Sequence, residues 1–230
     1  MKILVINPVS ISMWDELTRK VISEHANAST FFDVIHIDEA PKSIESFTDV
    51  AQAAPFVVHA VIKAEKQGYD AAIINCFDDP GLQAAREQVS IPVYGIGETS
   101  MVLATLFGHK FAVISTGKNS RAVYERKALK LGLSQRIAYS IGIDVGVLDL
   151  RSNEAAVKQM ILDEAKRAIE VYGAEVIVLG CGGMTGFAEE LEHKIHVPVI
   201  DPMIATFKIV EALTPLGLKQ SKAFLYSFKR

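Results

Sequence analysis

Ile73-Ile74-Asn75-Cys76-Phe77-Asp78-Asp79-Pro80-Gly81 is the stretch on which the reading of this chain turns. A buried-strand pattern runs into a cysteine and then into turn and helix-start residues. Val178-Leu179-Gly180-Cys181-Gly182-Gly183-Met184-Thr185-Gly186 has the same layout, and the 230 residues contain no other cysteine. Working outward, apolar runs with strand character alternate with segments of helical apolar spacing. Strands are expected over 2–6, 31–37, 71–75 and 92–96, and helices over 12–24, 49–67, about 79–88 and 98–107. The cycle then restarts. Strands are expected over 110–115, 136–147, 175–179 and 197–200, and helices over 119–130, 153–172, 185–194 and from 202 to about 213. Asp79-Pro80 and Asp201-Pro202 read as an N-cap followed by a first-turn proline. Trp14 reads as a core residue on the apolar face of its helix.

The spacings repeat as well. Asn7 to Cys76 is 69 positions and Ser115 to Cys181 is 66; Cys76 to Pro92 is 16 and Cys181 to Pro198 is 17. Gly81 and Gly186 each lie five residues past their cysteine. Strand–helix alternation argues for parallel sheets built from βαβ units, and the matched spacings argue for an internal duplication. The expected fold is α/β, with two pseudosymmetric, doubly wound parallel-sheet lobes. The first lobe is expected over 1–98 plus 206–230, the second over 99–205, with the active site in the cleft between them. Ordinary similarity between any two α/β segments is the competing explanation.

Half of the residues are hydrophobic and the formal net charge is −3. That balance predicts neither a nucleic-acid-binding nor an anionic-membrane surface. No apolar run approaches the roughly 18 residues of a membrane-spanning helix. The expectation is a soluble, cytoplasmic protein whose two cysteines stay reduced.

Ligands of open α/β sheets bind beyond the carboxyl ends of the strands. Asn7, Cys76, Ser115 and Cys181 all fall at expected carboxyl ends. Thiols suit proton transfer at carbon, and a helix start behind each cysteine would favour the thiolate. Two thiols in equivalent places could serve as acid and base on opposite faces of one centre, with no cofactor. Each cysteine taken alone could equally be a small buried hydrophobe. Gly182-Gly183 could bring backbone amides to a developing negative charge, or be a plain turn. Ser115-Thr116-Gly117 offers hydroxyls at a strand end, or a cap for the next helix. Asn7-Pro8 offers a side-chain amide, or an ordinary turn. Asp78-Asp79 and the pair His193 and His196 do not read as metal sites. Gly95-Ile96-Gly97-Glu98 lacks the rest of a dinucleotide fingerprint, and Gly117-Lys118-Asn119-Ser120 is not a phosphate loop.

These motifs, together with Val93-Tyr94-Gly95-Ile96-Gly97-Glu98, resemble the aspartate/glutamate/hydantoin racemase superfamily over nearly the whole chain. The hydantoin racemase branch is the most similar. The resemblance implies a cofactor-independent isomerase, with no metal, in which Cys76 and Cys181 are the catalytic acid and base. It implies 5-monosubstituted hydantoins as substrates, allantoin or acidic amino acids as alternatives, and a homo-oligomer. A ligand-binding protein without catalysis is the alternative of another class. Backbone amides around Phe77, Asp78, Gly182, Gly183 and Met184 would hold the ring carbonyls. Ile44, in the loop segment 41–45, would touch the ring substituent. The first motif departs from the family's usual Asn-Pro-Asn-Thr: Val9-Ser10 stands here.

Overall fold

Ile3-Leu4-Val5-Ile6 and Ala71-Ala72-Ile73-Ile74 are buried along their whole length. Strands covered on both faces read as such unbroken apolar runs. In the computed structural model, which describes residues 1–227, these runs form β1 (Lys2–Asn7) and β3 (Ala71–Ile74) at the centre of a parallel sheet. The flanking strands are β2 (Phe31–His36) and β4 (Val93–Gly95), in the order β2-β1-β3-β4. The connecting helices are α1 (Met13–His25), α2 (Phe47–Lys66) and α3 (Leu82–Gln88). Helix α4 (Ile96–Ala104) follows β4 directly.

The second half repeats that topology. Its strands are β5 (Phe111–Ser115), β6 (Ile137–Gly142), β7 (Val176–Leu179) and β8 (Val199–Ile200), again all parallel, in the order β6-β5-β7-β8. Between them run α5 (Ser120–Lys130), α6 (Glu154–Tyr172) and α7 (Ala188–Ile195), with α8 (Pro202–Leu213) last. Every residue of β5 and β7 is buried.

Two compact units result: Met1–Ile96 with the chain from Met203 onward, and Gly97–Pro202. Helix α8 belongs to the first unit because Met203, Phe207 and Val210 join its core with Ile3, Val5, Ile73 and Ile96. Phe207 meets Phe32 edge to face at 5.6 Å. The tail follows into the same unit. Val93 N–H donates to Gln220 Oε1 (3.0 Å) and Gln220 Nε2 donates to Val93 O (3.3 Å). A side-chain amide thus occupies the open edge at β4.

Several expected boundaries shift for identifiable reasons. Helix α2 starts two residues early because Ser46 caps it: its Oγ accepts from Asp49 N–H (3.1 Å) and donates to Asp49 Oδ2 (2.7 Å). The Ser-x-x-Asp signal of a capping box marked this start. The segment expected as strand 136–147 is extended only to Gly142 and leaves the sheet there. Trp14 is buried, and His193 and His196 are exposed. No helix among the described residues is long and apolar enough to cross a membrane.

Candidate active site

In the first unit, Ile6 pairs with Ile74, and Asn75 N–H donates to Ile6 O (2.8 Å), carrying the ladder one residue past β3. Cys76 comes next, half-buried, as a thiol. The chain then turns, with Asp79 N–H donating to Cys76 O (3.0 Å). The expected Asp79-Pro80 helix start does not form. Asp79 takes a left-handed conformation (φ 54°), Gly81 does likewise (φ 73°), and α3 begins only at Leu82, with no side-chain cap. The Asp79 carboxylate packs against Gly95, where an added Cβ would sit 2.2 Å from its Oδ1. Helix α3 therefore starts six residues past Cys76 and spans seven residues, rather than opening directly behind the thiol.

In the second unit, Ile114 pairs with Leu179, and Gly180 N–H donates to Ile114 O (2.7 Å). Cys181 comes next, also half-buried and also a thiol. Each cysteine thus lies two residues past the third strand of its unit, behind the same ladder bond. Past Cys181 comes a three-residue 3-10 turn, Gly182–Met184, and the helix expected from Thr185 forms three residues later, as α7 from Ala188. Met184 N–H donates to Cys181 O (3.0 Å) and Thr185 N–H to Gly182 O (3.2 Å). Among the described residues no acceptor takes the N–H of Gly182 or Gly183.

Asn7 and Ser115 occupy matching strand ends, and both face inward. Asn7 is 2% exposed; its Nδ2 donates to Asp15 Oδ1 (2.8 Å) and its Oδ1 accepts from Asn75 Nδ2 (2.7 Å). Ser115 is 1% exposed and its Oγ donates to Gly180 O (2.6 Å). Each bonds to the residue immediately before a cysteine. Thr116 and Gly117 continue the strand end; their carbonyls accept from Asp144 N–H (2.8 Å) and Ser120 N–H (3.0 Å). Phe77, Met184 and Ile44 have buried side chains, and Asp78 is half-buried. The segment around Ile44 is tied to the end of β1, since Ser10 N–H donates to Pro41 O (3.0 Å).

The Asp/Glu/Hydantoin racemase family model matches residues 3–210. The chain belongs to that family. Hydantoin racemase of Pseudomonas sp. (strain NS671) is 36% identical over 228 residues, which cover 99% of this chain and 92% of that protein. The allantoin racemase structure from Klebsiella pneumoniae superposes with a TM-score of 0.94 at 33% identity, covering 100% of this chain and 94% of that one. The one from Pseudomonas fluorescens gives 0.95 at 31% identity, covering 100% and 97%. As a racemase of this family the protein is an isomerase.

Two groups of residues that were not expected at the site hold the racemase's cysteine loops. Arg151 Nη2 donates to Gly183 O (3.0 Å) and to Thr185 O, and its guanidinium stacks on Phe187 at 4.3 Å. Asp201, expected as a helix cap, accepts from Thr185 Oγ1 (2.9 Å) and Gly186 N–H (2.7 Å). In the first unit the corresponding group is Asp15, Thr18 and His36. Asp15, Thr18 and Ile22 share one buried helix stripe at i, i+3 and i+7. A carboxylate on such a stripe was the available signal. Arg151 lies in an irregular loop and left none.

Proposed function

We propose that this racemase inverts C5 of 5-monosubstituted hydantoins, with Cys76 and Cys181 as acid and base on opposite faces of that carbon. One thiolate takes the C5 proton, and the C–H electron pair passes into the adjacent carbonyl as an enolate. The other thiol returns a proton to the opposite face. The roles exchange for the other enantiomer, so the proton count closes without a cofactor. The carrying observation is the matched placement of the two thiols, each two residues past the third strand of its unit.

The acceptor-free N–H groups of Gly182 and Gly183 are suited to the enolate oxygen, and the backbone around Phe77 and Asp78 is their counterpart. Asn7 and Ser115 act on the cysteine-bearing backbone rather than on substrate, because their polar atoms bond inside the protein. Thr116, Gly117 and Met184 complete the lining, and Ile44 is the apolar contact for the ring substituent. A reducing cytoplasm, which keeps both thiols available, and a homo-oligomeric assembly go with this reading.

Time-resolved polarimetry tests it on both enantiomers of hydantoins bearing benzyl, isobutyl or ureido groups at C5, with aspartate and glutamate alongside. Catalysed loss of rotation with the benzyl and isobutyl compounds supports the reading. Turnover confined to the ureido compound, which is allantoin, moves the substrate to that member of the class. Turnover of amino acids alone, or none at all, overturns it.

A further inference from the structure

Behind Cys76 runs an unbroken line of hydrogen-bonded polar side chains, from half-buried His36 inward to buried Asn75. His36 Nδ1 lies 2.7 Å from Asp15 Oδ2, and Asp15 Oδ1 accepts from Asn7 Nδ2 at 2.8 Å. Asn7 Oδ1 accepts from Asn75 Nδ2 at 2.7 Å, and the same Nδ2 is 3.3 Å from Thr18 Oγ1. Asn7, Asp15, Thr18 and Asn75 are all buried. Asn75 is bonded through its peptide to Cys76. In the second unit, among the described residues, the Ser115 and Tyr124 hydroxyls meet Gly180 O at the matching position.

The line has a direction. A carboxylate only accepts hydrogen bonds, so Asn7 must turn its NH2 toward Asp15 and its oxygen toward Asn75. Asn75 must then offer its own NH2 to Asn7. That choice leaves Asn75 Oδ1 buried with no hydrogen-bond partner. Leaving a buried acceptor without a partner is unfavourable. Flipping Asn75 would set its oxygen against that of Asn7. The orphan therefore persists because the carboxylate dictates the order of the array from two side chains away.

We propose that Asp15 is a positioning residue for Cys76: its carboxylate fixes the Asn7–Asn75 array and, through the Asn75 backbone, holds the thiol in place for proton transfer. This rests on the reading of Cys76 as an acid/base group. The second unit fixes Cys181 by other means, through Ser115 and Arg151. A fault introduced at Asp15 therefore falls on one thiol only, and on the one enantiomer that this thiol deprotonates.

The test compares Asp15→Ala with Asp15→Asn. An asparagine can still turn its oxygen to Asn7 and its NH2 to a neutral His36, so it preserves the direction of the array. Asp15→Ala is expected to lower the racemisation kcat about 10- to 100-fold with KM within about threefold, whereas Asp15→Asn stays within about threefold of wild type. In Asp15→Ala, solvent deuterium still enters C5 of one enantiomer without inversion, while exchange of the other falls with kcat. Equal loss of exchange from both enantiomers, full activity of Asp15→Ala, or equal impairment of the two variants overturns the proposal.

Should wild type turn over no hydantoin, the proposed reaction fails, and the positioning claim is read from the thiols alone. Iodoacetamide labelling, quantified peptide by peptide, is expected to speed up at Cys76 about fivefold or more in Asp15→Ala and to stay within about twofold at Cys181, as the thiol held through the array gains access. An unchanged Cys76 rate, or a parallel change at both cysteines, overturns the claim. If Asp15→Ala does not fold, Asn7→Ser cuts the same array one link nearer the cysteine and carries the same expectations.

Discussion

Gly180→Ala probes how tightly the strand end before Cys181 is built. A Cβ added at this position would lie 2.6 Å from Ser115 Cβ, 2.9 Å from Val113 Cγ1 and 3.0 Å from Ser115 Oγ. The two carbons sit on β5, which is buried throughout, so neither can swing away as the end of a long side chain would. Overpacking at such a site costs about 1–3 kcal/mol. For a chain of this length each kcal/mol lowers Tm by about 2–4 °C, so the variant is expected to melt roughly 2–12 °C below wild type. Ser115→Gly removes two of the three close contacts but also the hydroxyl on Gly180 O, at about 1 kcal/mol. The double variant should then be more stable than the summed singles imply, by about 1 kcal/mol or more. Thermal and urea melts of the four proteins, followed by circular dichroism, measure both quantities. A Gly180→Ala melting point indistinguishable from wild type, or strict additivity in the cycle, would refute the steric argument.

Further expectations concern the other supports. Arg151→Ala leaves Gly183 O and Thr185 O without their guanidinium donor; kcat should fall about tenfold, and Arg151→Lys should not restore it, because one ammonium cannot reproduce the fork. Steady-state kinetics of both variants decide this. Ser46→Ala removes the cap of α2 and should cost about 1 kcal/mol in a urea melt, with activity unchanged. The hydrogen bond from His36 to Asp15 raises the imidazole pKa above its usual 6.5, and the charges of Asp15 and Asp38 add to it. A raised folded-state pKa means that this pair stabilises fully below pH 6.5 and loses its contribution as pH rises through the folded value. With His36 about one-third exposed, the effect is small. The Tm difference between wild type and His36→Gln should shrink from pH 6 to pH 9; a difference that grows would contradict the assignment.

The residues that announced the fold were those whose role is local. Ile3–Ile6 and Ala71–Ile74 are apolar without interruption because both faces of a parallel strand are covered, and that pattern survives in a bare sequence. The matched spacing of Asn7, Cys76, Ser115 and Cys181 carried the repeated topology for the same reason. What stayed hidden depends on contacts between distant segments. The turn after Cys76 cannot be read from Asp79-Pro80, because Asp79 adopts a left-handed conformation and packs its carboxylate on Gly95, sixteen residues away. Asn7 and Ser115 stood at the expected strand ends, yet their polar atoms turn inward toward Asn75 and Gly180. That choice depends on Asp15 and Tyr124, residues of neighbouring helices. Arg151 reaches the Cys181 loop from 32 positions away in sequence, a partnership no local spacing encodes.

The most direct test of two opposed thiols follows deuterium from solvent into C5, using Cys76→Ser and Cys181→Ser separately, each with pure D- and pure L-hydantoin. Neither variant should invert the centre, each should exchange only one enantiomer, and the two should choose opposite ones. Inversion by either variant, or a shared preference for the same enantiomer, would contradict the two-thiol account.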